Sequence, residues 1–566
     1  MTEKWVEIRK GGNYKDLGLL WGVSPVVARI MKNRGINTAE EARDYLKGGP
    51  ESFNDGSLMA DCHKCVQILK DKIREGKTIR VIGDYDIDGV CASYILTDGL
   101  KAAGALVDYV IPHRVKDGYG LNENLIREAA EDGIDTILTC DNGISAGPQV
   151  EDAHRRGMTV LVTDHHEIAA LPPAEAVVDP HRSDCAYPFK MLCGAAVAWK
   201  VLQQLYRIMG VPLENAEKYL EIAAFATIGD VMPLIGENRI LVREGLKRLS
   251  HTQNLGMQAL MDLNGLSQKE ITPYHVGFVL GPCLNAAGRL DTAEYAMRLL
   301  FSKNADEAHS AAVVLKEMND SRKTLTDQGV EAACKLAEDE PYVNQKVLVL
   351  PILGCHESIA GIVAGKVRER YCKPVFILTE GSLPDGTPCY KGSGRSIEAY
   401  NMFQAMNRVS ELFQKFGGHA MAAGLSILPE QLPELERRLN EECGLTEEDL
   451  AEKVRIDMAL PFSYVNMDLV EELNCLAPFG MANEKPLFAT RKVEFRDIRI
   501  FGERRNVLKA LVADESGSCR DAVYFGDAEG MRDYIEGKGL VSVTYYPDKN
   551  EFRQQVSLQV VIKNVM

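Results

Sequence analysis

The chain has 566 residues, 46% of them hydrophobic and 26% charged, with 81 acidic against 65 basic side chains and a formal net charge of −16. That length exceeds what one hydrophobic core organises, so three or four domains are expected, and the composition is ordinary for soluble globular protein. No apolar run of about 18 residues occurs, which excludes a transmembrane helix; the acidic balance argues against a broad nonspecific nucleic-acid surface but leaves room for a narrow basic channel.

Residues 1–72 read as a small helical unit. Ser24-Pro25 opens one helix, and Thr38-Ala39-Glu40-Glu41 has the form of a capping box that opens another. The first residues, Met1-Thr2-Glu3-Lys4-Trp5, carry no apolar signal segment, so a cytoplasmic location is expected. Cys62-His63-Lys64-Cys65 is the sole CxxC, and it lies in a helical stretch, residues 59–75, with no second pair nearby to complete a zinc site. The 14 cysteines follow no disulfide framework, which fits a reducing compartment.

Residues 73–254 repeat one pattern three times, an apolar strand that ends in an aspartate. Thr78-Ile79-Arg80-Val81-Ile82-Gly83 runs into Asp84-Tyr85-Asp86-Ile87-Asp88-Gly89, Thr136-Ile137-Leu138-Thr139-Cys140 into Asp141-Asn142-Gly143, and Thr159-Val160-Leu161-Val162-Thr163 into Asp164-His165-His166. Such β-branched runs are strands buried on both faces. Between them, residues 92–104, 125–132 and 148–157 read as helices and residues 107–112 as a further strand. The alternation predicts right-handed crossovers and an α/β fold with a doubly wound parallel sheet.

Residues 255–338 read as a helical connector, and residues 305–339 suit one long helix that spaces two lobes apart. A second, smaller α/β unit is expected over 339–449, from the strand at Lys346-Val347-Leu348-Val349-Leu350 through Val375-Phe376-Ile377-Leu378. Residues 450–566 hold short strand-like segments at 493–501, 508–513, 542–546 and 555–562, which suggest a small β-barrel.

In a parallel sheet all strands finish on one edge, and ligands bind outside it. Asp84, Asp86, Asp88, Asp141 and Asp164 should therefore converge with His165 and His166. Five carboxylates in contact repel strongly unless neutralised, and hard oxygen ligands with a few imidazoles call for divalent cations, Mg²⁺ or Mn²⁺. An EF-hand is excluded, because Ile95 stands where its closing glutamate would be. Two cations bridged by a shared carboxylate clamp a phosphodiester, and Asp141, alone on its strand end, is the expected bridge. For Asp86 and Asp88, read as an extended segment, each serves a different cation or one turns away. Asp84 and Asp164 are expected to orient imidazoles or waters. Arg114 follows a strand on the same edge. Lys391-Gly392-Ser393-Gly394-Arg395 lacks the ending of a P-loop, but Gly392 and Gly394 would let the backbone approach a phosphate.

These motifs resemble the DHH phosphoesterase superfamily. The three aspartate segments resemble its first three motifs, Ala226-Thr227-Ile228-Gly229-Asp230-Val231-Met232-Pro233-Leu234 its fourth, and Gly417-Gly418-His419-Ala420-Met421-Ala422-Ala423-Gly424 the signature of the DHH-associated domain. Asn285-Ala286-Ala287-Gly288-Arg289 and the stretch near Arg395 narrow the resemblance to the RecJ family of single-strand-specific DNA exonucleases, from about residue 15 onward. The resemblance implies a DHH domain, a DHH-associated domain and an OB-like β-barrel. It implies that Asp86, Asp88, Asp141, His165 and Asp230 hold two Mg²⁺ or Mn²⁺ ions, with Asp141, His166 and Asp84 as catalytic residues and His166 facing phosphate. Substrate binding falls by resemblance to Arg114, Arg289, His356, Ser393, Arg395 and His419. The implied activity is 5′→3′ removal of nucleotides from single-stranded DNA with a free 5′ end, in repair and recombination, by a monomer that works with a single-strand-binding protein and a helicase. Glu357-Ser358 stands where the family usually has proline-glycine, and Ala482 where it has glycine. Two rival readings are a phosphodiesterase for short oligonucleotides or cyclic dinucleotides, whose chains lack the N-terminal unit and barrel, and a non-catalytic replisome scaffold, which would have lost ligands that this chain keeps.

Overall fold

The computed structural model describes residues 3–114, 116–552 and 555–566. Its first sheet has five parallel strands, in the order Leu106–Val110, Thr78–Ile82, Thr136–Cys140, Thr159–Thr163 and Ala176–Val178. Alternate side chains serve two cores. Val81, Leu138 and Leu161 pack with the helices Ile87–Ala102 and Gly194–Met209, whereas Ile82, Ile137 and Val162 pack with Glu123–Glu131 and Gly147–Arg155. The chain winds outward both ways from Thr78–Ile82 and Thr136–Cys140, so the strand order reverses between these two, the point at which doubly wound sheets open a crevice.

The connector includes the helix Gly281–Leu290, which carries Arg289, and ends in the 34-residue helix Ala305–Glu338. At 1.5 Å per residue that helix is about 51 Å long. Its first half contributes Ala312 and Leu315 to the core of the first sheet, and its second half buries Ala333 and Ala337 against the second α/β unit. That unit has a five-stranded sheet, ordered Phe413–Gly418, Ala422–Ile427, Pro388–Arg395, Val375–Ser382 and Leu348–Pro351, with only the last pair parallel.

In the C-terminal region, Phe488–Phe501, Val507–Ala513, Cys519–Phe525, Gln555–Val565 and Leu540–Phe552 pair in turn, and the last pairs back with the first, so five strands form a closed ring. Cys519–Phe525 and the helix Ala528–Lys538 are additions to the strands expected from sequence.

The N-terminal residues divide between two bodies. Strand Glu3–Glu7 pairs with Glu452–Ile456, and the helices Tyr14–Trp21, Pro25–Asn33 and Ala39–Lys47 share a core with the ring through Val27, Ile30, Phe462, Phe488 and Tyr545. Ser24 caps its helix through Val27 N–H, and Thr38 with Glu41 forms the capping box. Helix Cys62–Arg74 instead packs on the first sheet, with Cys62 and Cys65 fully buried in that core as free thiols.

Candidate active site

Asp86 and Asp88 do not lie on an extended segment. The helix begins at Ile87, five residues before the expected start, with Asp86 as its cap: one Asp86 oxygen accepts the Asp88 and Gly89 N–H groups at 3.0 and 3.1 Å. The other Asp86 oxygen makes neither of these bonds. Asp88, in the first turn and fully buried, caps a different helix. Its two oxygens accept the N–H groups of Gly194 and Ala195 at 2.5 and 2.8 Å. Two helix N-termini thus hold carboxylates beside one strand end.

Asp141 turns the chain directly after its strand, with φ +59°, a left-handed conformation that aspartate tolerates better than most residues. Its side chain lies against Gly194, where a β-carbon would come within 2.6 Å of the Asp141 β-carbon. His165 Nε2 sits 3.0 Å from Asp141 Oδ1, 3.6 Å from Asp88 Oδ2 and 3.9 Å from Asp230 Oδ2. Asp230 reaches this point from the end of helix Leu220–Gly229, far away in sequence.

Asp164 is fully buried and does not face this centre. It accepts the Ile144 and His165 N–H groups at 2.9 and 2.7 Å and holds His166 Nδ1 at 2.7 Å. Adjacent histidines thereby part: His165 is buried among carboxylates, while His166 is half-exposed and tied to Asp164. Tyr119, given no role by the sequence reading, donates its hydroxyl to the Asp141 carbonyl at 3.0 Å and lies 3.4 Å from His166. Asp179, at the end of the three-residue strand Ala176–Val178, is one more buried strand-end aspartate; it accepts the His181 N–H at 2.7 Å. So short a strand left no periodic signal.

Burial, then the charge of Asp86, pushes Asp84 up to about 8, and one of its oxygens has no partner. Burial, then Asp88 and Asp86, pushes Asp230 up to about 8 as well. Asp141 is driven well above the carboxylate range by burial and by Asp88, Asp86, Asp164 and Asp84. His166 shows the converse. Burial opposes its charge, but the bond to Asp164 and the negative charges of Asp164, Asp230 and Asp88 together outweigh this and raise it to about 9.

The donor set fits divalent cations. Ligand atoms of Asp141, His165 and His166 lie within 4.8 Å of one another, as do those of Asp88, His165 and Asp230. They are mostly carboxylate oxygens with one or two imidazoles, the set that Mg²⁺ and Mn²⁺ take. Their mutual repulsion is what a bound cation removes.

A cleft of about 420 Å³ adjoins this centre, between the two α/β units. Arg114 and Arg289 line it from the first unit and connector, and Glu357, Ser358, Gly361, Lys391, Ser393 and Arg395 from the second. The Arg114 guanidinium lies 3.9 Å over the Tyr85 ring and donates to the Gly288 carbonyl at 3.3 Å. Gly288 is required here, because a β-carbon would come within 2.3 Å of the Tyr85 carbonyl oxygen. Arg289 donates to the Ser358 carbonyl at 2.8 Å, and the Ser358 hydroxyl donates back to the Arg289 carbonyl at 2.7 Å, so the two lobes are joined beside the cleft. Gly361 leaves room for Arg395, whose guanidinium would stand 2.9 Å from a β-carbon there.

Gly392 lines the cleft, whereas Gly394 does not. Both also leave room for packing along the strand Pro388–Arg395, since β-carbons there would meet Leu378 at 2.3 Å and Met402 at 2.5 Å. His356 is not in the cleft lining. It caps helix Glu357–Tyr371 and sits 2.7 Å from the Ser358 hydroxyl. His419 is exposed in the turn between Phe413–Gly418 and Ala422–Ile427 and does not line the cleft either.

A doubly wound sheet with aspartates at its switch point, facing a second lobe across an arginine-lined cleft, defines a DHH-type protein. The DHH family N-terminal domain matches residues 78–227 and the DHHA1 domain residues 344–444. The RecJ OB domain matches residues 456–564, the region of the closed ring. The single-stranded-DNA-specific exonuclease RecJ of Bacillus subtilis is 34% identical over 96% of this chain and 68% of its own length, and that of Escherichia coli K12 is 33% identical over 96% of both. The crystal structure of Thermus thermophilus RecJ in complex with Mn²⁺ superposes with a TM-score of 0.84 at 27% identity, covering 100% of this chain and 80% of that one; the Mg²⁺ complex gives 0.77. The chain belongs to the RecJ family.

Proposed function

We propose that this protein is a metal-dependent exonuclease that removes nucleotides from single-stranded DNA in the 5′→3′ direction. The observation that carries the reading is the juxtaposition of the carboxylate–imidazole centre around His165 with the arginine-lined cleft next to it. The names of its relatives support single-stranded DNA as the substrate, and the metals of the related structures support Mn²⁺ or Mg²⁺.

Asp86, Asp88, Asp141, His165 and Asp230 would hold two ions. When bound, such ions supply an activated water and neutralise charge on the phosphoryl oxygens. The chain's own residues do the positioning. Asp88 is fixed by two backbone N–H groups, and Asp141 by its left-handed turn and the close approach of Gly194. His166, charged at neutral pH, half-exposed and held through Nδ1 by Asp164, can hydrogen-bond a phosphoryl oxygen through its other ring N–H. Arg114, Arg289 and Arg395 suit a terminal phosphate, because the planar guanidinium grips it bidentately. A phosphate seat lined from both lobes suits a strand end, and 5′ polarity belongs to the same proposal.

Both faces of the cleft come from one chain, so a monomer suffices. The 14 free thiols fit a reducing, cytoplasmic compartment. A helicase to deliver single strands and contact with a single-strand-binding protein belong to the same proposal, as do roles in repair and recombination. The test is to incubate single-stranded and blunt duplex DNA with Mn²⁺, Mg²⁺ or EDTA. Release of mononucleotides from the single strand only with a cation is expected; cutting in EDTA, or preference for duplex, contradicts the reading.

A further inference from the structure

Four basic side chains line the cleft, Arg114, Arg289, Lys391 and Arg395, together with one acid, Glu357. Lys391, Ser393 and Arg395 occupy alternate positions of the strand Pro388–Arg395 and so leave it on one face. Glu357 is the first residue of helix Glu357–Tyr371, directly after its cap His356. A carboxylate is stable there without a partner, because the helix N-terminus favours negative charge. It nonetheless reaches across to Lys391, with Oε2 2.9 Å from Nζ and both side chains partly open to solvent. The lysine is a group an incoming anion would use, and Glu357 already pairs with it.

We propose that Glu357 is a specificity-determining residue of this cleft, which weakens its preference for a strand that ends in a phosphate over one that ends in a hydroxyl. The inference rests on the reading of the cleft as the seat of the 5′ end. A terminal phosphomonoester carries a charge of about −1.5 to −2 at neutral pH, and an internal diester less. Repulsion from a carboxylate in the same cleft scales with that charge, so Glu357 penalises the phosphorylated end more. Lys391 acts with the opposite sign, since it is a cation that the phosphate can recruit once the ion pair opens. Glu357 therefore offsets part of what the three arginines supply, and the cleft accepts both kinds of end more evenly than its arginines alone would allow.

The two halves of the pair separate this role from a structural one. A salt bridge that only joins strand to helix would weaken the protein alike when either partner is neutralised. A specificity pair responds with opposite signs. The experiment measures binding of 3′-fluorescein oligothymidylates, 5′-phosphorylated or 5′-hydroxyl, to the full chain in EDTA by fluorescence anisotropy, and the same selectivity as a ratio of KM values in Mn²⁺. Glu357→Gln is expected to tighten the phosphorylated strand about three- to tenfold, with a smaller gain for the hydroxyl strand. Lys391→Gln is expected to weaken the phosphorylated strand by a similar factor. Equal gains for both ends with Glu357→Gln, no gain at all, or weakening by both variants would overturn the inference. Arg395→Ala tests the underlying reading separately. If it leaves the discrimination between the two ends at the wild-type value, the cleft is not the seat of the 5′ end, whatever Glu357 does.

Discussion

Asp141 and His165 meet at 3.0 Å in a site where four other carboxylates lower the tolerance for a further negative charge. Asp141→Asn keeps the shape and, like aspartate, accepts the left-handed turn. It is expected to cut turnover to below about a few per cent of wild type and to raise the melting temperature of the metal-free protein by relieving repulsion. Retained activity, or a lower melting temperature, would count against a shared-carboxylate metal centre. The neighbouring histidines should part company. His165→Ala is expected to lose Mn²⁺ affinity, while His166→Ala keeps most of it and loses turnover; calorimetric titration of both decides, and equal loss of affinity would mean that His166 is a ligand too.

The same residues set a pH dependence. Asp84 and Asp230 are raised to about 8 in the folded protein and fall back near 3.8, the ordinary aspartate value, when unfolded. Between those values the folded chain keeps protons that the unfolded chain has released, so stability falls as pH rises through this window. Metal-free protein should therefore melt lower at pH 8 than at pH 5, and added Mn²⁺ should raise the midpoint more at pH 8. Flat or rising midpoints in EDTA would show that the carboxylates are not crowded. At this scale the sequence is readable where a residue sits at a strand end. Asp141, Asp164 and the two histidines follow long buried runs, whereas Tyr119 and Ser358 act through contacts with residues distant in sequence, which carry no local pattern.

Individual elements were legible in proportion to their periodicity. The aspartate-bearing strands, the long helix and the two capped N-terminal helices are set by local signals, and they stand in the structure close to their expected bounds. The start of helix Ile87–Ala102 was hidden because its cap is one of the motif aspartates and Gly89 follows in its first turn. The packing demand on the glycines at 392 and 394 was not legible, because spacing says nothing of which face of a strand is crowded. Ala482 illustrates a departure with a physical cost. It sits at φ +59°, next to Asn483, whose side chain is held by Tyr45 and Arg34 at 2.7 Å each. An alanine there is strained where glycine is not. Ala482→Gly is expected to stabilise the region where the N-terminal helices meet the ring by about 1 kcal/mol, read as a shift in its denaturant midpoint; an unchanged or lower midpoint would show that the turn is relaxed as it stands.

Across the whole molecule, one long helix and the reciprocal Arg289–Ser358 bonds hold two α/β units, with the carboxylate–imidazole centre in the first and the arginine-lined cleft between the two. This arrangement reconciles an acidic chain of net charge −16 with a nucleic-acid substrate, because Arg114, Arg289, Lys391 and Arg395 gather positive charge in the cleft and bound cations would offset the aspartates. The parallel, doubly wound character of the first sheet was readable from sequence. The packing of the N-terminal helices on the C-terminal ring was not, since it depends on apolar faces more than 400 residues apart in the chain, such as Val27 and Phe462. The most direct test of the central claim is the order in which label is lost from a single strand marked at its 5′ or 3′ end, with Mn²⁺ present. Early loss of the 5′ label as a mononucleotide, while the 3′ label stays on progressively shorter strands, is the predicted result. Early loss of the 3′ label, or internal cuts that release both labels on fragments, would contradict it.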